Sequence, residues 1–319
     1  MDGCPLIGFR AEAVAVTVPA KMNLALLVHG RRPDGFHEIE SLVVAVTLYD
    51  RLVFRGPNDR FLFFQARGEA SPADIRNLVW RAAARLARHA AAVPGGAVVL
   101  DKSIPAGTGL GGGSADAAGT LAGLNAFWRL GLSDGQLSRL GAEVGADVPF
   151  FFHLPAAVVR GRGEQVEQVL FDWPGWVVLA APDLSVSTAA VYAGWRADST
   201  PAPRDAVARV LDGRRLEAGE LSERLVNMLE KPAFNLYPEL GRLHQVMERL
   251  AGRPVRMTGS GGGLYALLDQ QEDAARLADR LHRELGTRTW LLRLLTTPCD
   301  SGDSYEHHRD TCQAGQRSS

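Results

Sequence analysis

The chain has 319 residues, 46% of them hydrophobic and 22% charged, with a formal net charge of −1. That length exceeds what one core usually fills, so two domains are expected, and the near-zero charge excludes a global field that recruits nucleic acid or an anionic membrane. No apolar run reaches membrane-spanning length, and the first residues lack a basic region followed by an apolar stretch, so the expected location is the cytoplasm. The three cysteines, Cys4, Cys299 and Cys312, have neither metal spacing nor an even-numbered framework, which fits a reducing compartment.

Residues 12–29, rich in Val and Leu with partial alternation, predict a strand. Pro33 and Asp34-Gly35 supply turn chemistry, and strand character resumes to about Arg55. Ser71-Pro72 is a helix start signal for the amphipathic segment that follows. "GGAVVLDKSIP" predicts a strand leading into "AGTGLGGGSADAA", and two helices follow with no strand between them. Two strands are expected around "AAVVRGRGEQVEQV". "WVVLAAP" opens a second domain with helices near 187–195, 203–212 and 233–251, a "VRMTGSGGGLYALLD" strand-turn-strand, a helix over 272–285 and a last strand. The resulting domains are 10–170 and 171–297. Residues 298–319 are polar and expected to be disordered.

Five glycines occupy the seven positions from Gly107 to Gly113, a density that is costly in backbone entropy and calls for a ligand that approaches the main chain. A Walker loop is excluded because Gly112-Gly113-Ser114 lacks the lysine. Gly107, Gly109 and Gly112 match G-x-G-x-x-G, but a Rossmann unit would return from its helix into a parallel strand, whereas another helix follows here. His308-Arg309-Asp310 lies in the polar tail without the other protein-kinase elements. What remains is strand, glycine loop and helix N-terminus, a setting that favours a polyphosphate. Ser114 is placed to bond a phosphate or help hold magnesium, or alternatively to cap the helix.

The loop is similar to the signature of the galactokinase–homoserine kinase–mevalonate kinase–phosphomevalonate kinase superfamily. "VPAKMNLALLVHGRRPDGFHEIESL" and "LGADVPFFFHLPAAVVRGRGEQVEQV" narrow the resemblance to the 4-diphosphocytidyl-2-C-methyl-D-erythritol kinases, over about residues 12–295. It implies an α+β fold of two domains, the first like ribosomal protein S5 and the second ferredoxin-like. It also implies an ATP-dependent kinase acting on the 2-hydroxyl of a cytidine-diphosphate alcohol in non-mevalonate isoprenoid synthesis. Expected partners are that small molecule and ATP with Mg2+, in a monomer or weak homodimer without nucleic acid or membrane. A homoserine- or mevalonate-type kinase and a non-catalytic nucleotide-binding protein of the same fold are the alternatives.

Lys21 and Asn23 are two apart on the predicted strand and share a face. Lys21 interrupts an apolar run, where a charge is costly unless it is paired or snorkels out. By resemblance, Asp147 is the general base assisted by Lys21. Pro105, Ala106, Gly107, Thr108, Gly109, Leu110, Gly111, Gly112, Gly113, Ser114 and Ala115 then bind ATP. Phe36 and His37 recognise cytosine, with Tyr192 on its other side and Asn23 as a further substrate contact. The family more often has Tyr where Phe36 stands, so stacking is retained and any bond through that hydroxyl is not. Residue type alone leaves Asp147 open as a turn or cap aspartate, Phe36 as core and His37 as a surface histidine. Asn227 and Gly259 to Gly263 approach the cleft from the second domain or form a plain hairpin. The other histidines show no metal-ligand spacing, so magnesium would arrive with ATP.

Overall fold

The computed structural model describes residues 6–10, 13–56, 62–69, 76–90, 95–197, 203–212 and 216–295. The three cysteines, Ser71-Pro72 and the segment 298–319 lie outside the described residues.

The first sheet contains β1 (Leu6–Arg10), β2 (Ala13–Arg31), β3 (His37–Arg55), β4 (Leu62–Gly68), β5 (Gly96–Lys102), β6 (Ala156–Gly161) and β7 (Gln165–Gln168). β2 and β3 form a long antiparallel hairpin. The free edge of β3 is shared, Arg51–Arg55 pairing with β5 and Ile39–Val44 with β6. Register shifts in β2 fall between Pro19 and Ala20, Asn23 and Ala25, and Val28 and Gly30. Such irregularities re-aim side chains, and two of them flank Lys21 and Asn23.

Helices α1 (Leu78–His89), α2 (Gly112–Phe127) and α3 (Asp134–Val144) belong to the same half. The glycines of α2 permit its close approach to the sheet. A Cβ at Gly119 would stand 2.8 Å from both Leu52 and Val18, and one at Gly123 2.0 Å from the Phe54 ring. α2 is therefore a buried central helix, with no polar face.

The second sheet holds β8 (Trp176–Ala181), β9 (Arg256–Met257), β10 (Leu264–Leu268) and β11 (Arg288–Arg293), all antiparallel in the order β11-β8-β10-β9. Fourth-first-third-second is the ferredoxin-like order. Its first crossover carries α4 (Thr188–Gly194), α5 (Ala206–Val210), α6 (Ala218–Arg224), α7 (Glu230–Leu236) and α8 (Pro238–Ala251), and its second carries α9 (Gln271–Leu285). The fold is α+β, as expected.

The differences from expectation have local causes. The single helix over 233–251 is two, because Pro238 starts α8 and drives Tyr237 out of the helical region, to φ −128° and ψ 78°. Within the described residues α1 starts at Leu78, capped by the Asn77 side chain on the Val79 amide. The helix over 203–212 shrinks to Ala206–Val210, and α6, β1 and β4 were not anticipated. "VPFFF" forms a 3-10 turn over Val148–Phe152.

Candidate active site

Lys21 projects from β2 with only 6% of its surface exposed. Its ammonium donates to Asn23 Oδ1 at 2.6 Å and lies 3.4 Å from Asp147 Oδ2. Asn23 is held in turn, its Nδ2 donating to Ser41 Oγ at 2.7 Å and that hydroxyl to the Ala25 carbonyl at 2.6 Å. Asp147 stands at the N-cap of the 3-10 turn but makes no capping hydrogen bond. Its side chain is 46% exposed, so one carboxylate oxygen faces the lysine while the group remains open to a ligand. The pair is the arrangement a hydroxyl nucleophile needs: an acceptor for its proton beside a fixed positive charge.

The glycine loop closes over this pair. The Lys21 amide donates to the Leu110 carbonyl at 2.9 Å. Gly111 takes φ +69° as the N-cap of α2, and a Cβ there would lie 2.7 Å from Lys21 Cγ. The first intrahelical amide bond of α2 is Ala115 to Gly111, at 2.9 Å. The amides of Gly112, Gly113 and Ser114 therefore precede the helical ladder at its positive end, available to an anion. Ser114 is the third residue of the helix, not its cap. Ala115 is buried in the core and its amide is already bonded, so the structure does not bring it to the cleft with the rest of the loop.

The second glycine segment is more than a plain hairpin. Gly262 and Gly263 donate to the carbonyls of Gly107 and Thr108 at 3.0 and 3.1 Å. A Cβ at Gly261 would stand 2.3 Å from the Gly109 nitrogen. Asn23 N donates to Thr258 Oγ1 at 3.0 Å, so both loops are fastened to each other and to β2. Asn227 supports the turn from behind, its Nδ2 donating to the Met257 and Gly259 carbonyls, each at 2.7 Å.

Both glycine loops, Lys21, Asn23 and Asp147 line one cleft of about 1220 Å³, which also receives Phe36, His37 and Tyr192. The His37 and Tyr192 rings lie 5.1 Å apart at 32°, and Trp195 meets His37 edge-on at 5.8 Å. Phe36 is 52% exposed, with the Arg162 guanidinium 5.3 Å from its ring centre, so it is not a core residue. Burial and the charge of Arg31 push the His37 imidazole down from its ordinary value, which keeps it neutral near pH 7. Burial, then the nearby Asp147 charge, pushes the Tyr192 hydroxyl up. Among the described residues no group of three metal-ligating side chains occurs.

Lys102 is one of three lysines in the chain, and its sequence context assigns it no role. The structure buries it between Asp50 and Asp116, beneath the glycine loop. Its ammonium bonds Asp50 Oδ2 and lies 3.0 Å from Asp116 Oδ2. The three residues sit on β3, at the end of β5 and in α2, so only the folded topology unites them.

Residues 77–153 match the GHMP kinases N terminal domain and residues 206–287 the GHMP kinases C terminal family. The chain is a GHMP kinase, an ATP-dependent small-molecule kinase. It is 41% identical over 279 residues to a 4-diphosphocytidyl-2-C-methyl-D-erythritol kinase from Symbiobacterium thermophilum, covering 86% of this chain and 98% of that one. A crystal structure of 4-(cytidine 5'-diphospho)-2C-methyl-D-erythritol kinase superposes with TM-score 0.72 at 35% identity, over 88% of this chain and 98% of the other. Homoserine kinase from Cytophaga hutchinsonii, at 17% identity and TM-score 0.69 over 92% and 98%, shares the fold alone. Within the GHMP kinases, the chain belongs to the 4-diphosphocytidyl-2-C-methyl-D-erythritol kinase family.

Proposed function

We propose that this kinase phosphorylates the 2-hydroxyl of 4-diphosphocytidyl-2-C-methyl-D-erythritol, a step of non-mevalonate isoprenoid synthesis. One observation carries the reading: the Lys21–Asp147 pair, the glycine cradle and the His37–Tyr192 aromatic pair open onto a single cleft.

Asp147 accepts the proton of the substrate hydroxyl as its oxygen attacks the γ-phosphorus of ATP and ADP leaves. Lys21, its ammonium 3.4 Å from the carboxylate, orients Asp147 and stabilises charge on the transferring phosphoryl group. ATP fits the loop from Pro105 to Ser114, where added Cβ atoms at Gly109, Gly111 and Gly112 would collide with their surroundings and the first-turn amides are free for phosphate. Magnesium would enter on the phosphates and neutralise part of their charge, held largely by them and by water. Phe36 stacks on the cytosine, neutral His37 bonds its edge, and Tyr192 closes the other side. Asn23 fixes Lys21, and the exposed Asp147 and buried lysine divide the work of base and counter-charge.

ADP release measured with ATP and magnesium tests the assignment, with the cytidylyl alcohol, homoserine and mevalonate offered in parallel. Turnover only with the cytidylyl compound is expected. Turnover with another alcohol would retain the phosphoryl chemistry and remove the cytosine pocket, and none with any would leave a nucleotide-binding protein.

A further inference from the structure

The buried cluster of Lys102, Asp50 and Asp116 has no part in the chemistry above, yet it lies directly under the loop that would receive ATP. Asp50 is fully buried and fully engaged. Its Oδ1 accepts the amides of Ser103 at 2.6 Å and Ile104 at 2.9 Å, and its Oδ2 accepts from Lys102. Those two amides are the first of the connection from β5 to α2. From the other end, Asp116 in the second turn of α2 offers Oδ2 to the same ammonium at 3.0 Å. Gly112 lies between them. A Cβ there would stand 2.8 Å from both Lys102 Nζ and Ile104 Cγ2. The cluster thus ties together the strand that leads into the loop and the helix that leads out of it.

We propose that Lys102, with Asp50 and Asp116, is a clamp that sets the shape of the glycine loop, making Lys102 and Asp116 positioning residues for ATP that do not touch it. The inference rests on the reading of residues 105–114 as the ATP loop. A cradle of backbone amides binds a polyphosphate only if its strand and helix ends hold a fixed separation, and the loop glycines have the least intrinsic resistance to collapse. The ammonium shared by Asp50 and Asp116 is such a tether across its base.

The two carboxylates do not carry equal charge. Asp116 is 1% exposed, and its Oδ1 has no hydrogen-bond partner among the described residues. Burial first, partly opposed by the Lys102 charge, pushes its carboxyl up to about 8. The groups facing it are Lys102 and Asp50. Beyond them Glu69, whose amide donates to the Lys102 carbonyl at 3.0 Å, is paired with Arg288. Near pH 7 the Asp116 carboxyl is then largely protonated. Negative charge beneath a polyphosphate site would oppose binding, and the protonated carboxyl adds none.

Three variants test the clamp, read as separate KM values for ATP and for the phosphoryl acceptor. Asp116→Asn keeps the shape and the neutral oxygen that faces Lys102, and should leave both KM values and the melting temperature unchanged. Asp116→Leu cuts the helix from the tether but leaves Lys102 paired with Asp50, so the fold should persist. KM for ATP should nevertheless rise about tenfold, since small displacements of a binding site are costly, while KM for the acceptor stays constant. A merely structural role would lower the melting temperature without this split. If Asp116→Leu does not fold, Asp116→Ser, too short to reach the ammonium, asks the same question. A folded Asp116→Leu or Asp116→Ser with unchanged KM for ATP overturns the clamp. So does an Asp116→Asn whose ATP affinity falls as far as that of the leucine variant, because the charge rather than the tether would then matter. Gly113→Val, on the cleft side of the loop, separates this inference from the reading beneath it. If it leaves KM for ATP unchanged, the loop is not the ATP site and both fall.

Discussion

Lys21 and Lys102 each head a lysine–aspartate cluster, and the two look alike by residue type but differ in one physical respect. Around Lys21 the ammonium is buried but its partner Asp147 is half-exposed, the two 3.4 Å apart. Around Lys102 everything is sealed, with Asp50 and Asp116 at 0% and 1% side-chain exposure. A carboxylate that keeps access to the cleft can exchange a proton with a ligand, whereas one enclosed with its cation can only hold elements together. Under the proposed function, access of the acid, not burial of the lysine, separates chemistry from scaffolding.

The largest effects should come from exchanging the two acids. Asp147→Asn removes the proposed proton acceptor and should leave the fold untouched, because the side chain caps nothing and is half in solvent. Turnover should fall roughly a hundred- to ten-thousandfold, with an unchanged melting temperature in calorimetry. Near-full turnover in the folded variant would remove Asp147 as base. Asp50→Ala should do the opposite. It takes from the buried Lys102 ammonium one of its two partners and leaves the Ser103 and Ile104 amides without their acceptor, and should cost about 3–5 kcal/mol of stability in a urea titration. A loss under 1 kcal/mol would show that the cluster is not scaffolding.

A third acid sharpens the contrast, because it is half-buried behind the second glycine turn. Glu230 Oε1 accepts the Met257 amide at 2.8 Å. Burial pushes its carboxyl from 4.5 up to about 7, with the Arg256 charge and that hydrogen bond opposing the shift. The folded chain therefore holds this proton more tightly than the unfolded chain does. The stability it contributes is complete below pH 4.5 and is lost as pH rises through 7. Glu230→Gln should flatten the fall in melting temperature over that window. A wild-type slope retained in the variant would assign the fall to another group.

The sequence revealed those parts of the site that are local in the chain. Lys21 and Asn23 announce themselves as polar residues two apart in an apolar strand, and the glycine loop by its density. Phe36 and His37 follow a turn written in Pro33-Asp34-Gly35. What escaped was assembled across the chain or decided by packing. Asp50, Lys102 and Asp116 come from three separate elements, and no spacing rule joins them. The amphipathic pattern of 233–251 ran through Pro238 and hid the break, and β4 alternates too weakly (Leu62, Phe64 and Ala66 only half-buried) to show as a strand. Ser114 resembles a cap by type, but Gly111 reaches a left-handed conformation that starts the helix three residues earlier.

The smallest effect tests whether recognition can be separated from both clusters. Phe36 lies at the mouth of the cleft, 52% exposed, and its backbone is fixed independently of its ring: the amide donates to Asp34 Oδ1 at 3.1 Å and the carbonyl accepts from Arg32 N at 2.7 Å. Replacing the ring by an aliphatic side chain should therefore leave stability, turnover and KM for ATP alone. Base–aromatic stacking is worth about 1–3 kcal/mol, so Phe36→Leu should raise KM for the cytidylyl alcohol roughly tenfold. Phe36→Tyr keeps the face and should stay near wild type. A leucine variant with unaltered KM would mean that the ring only covers the guanidinium of Arg162, and the cytosine would have to be sought against His37 and Tyr192 without it.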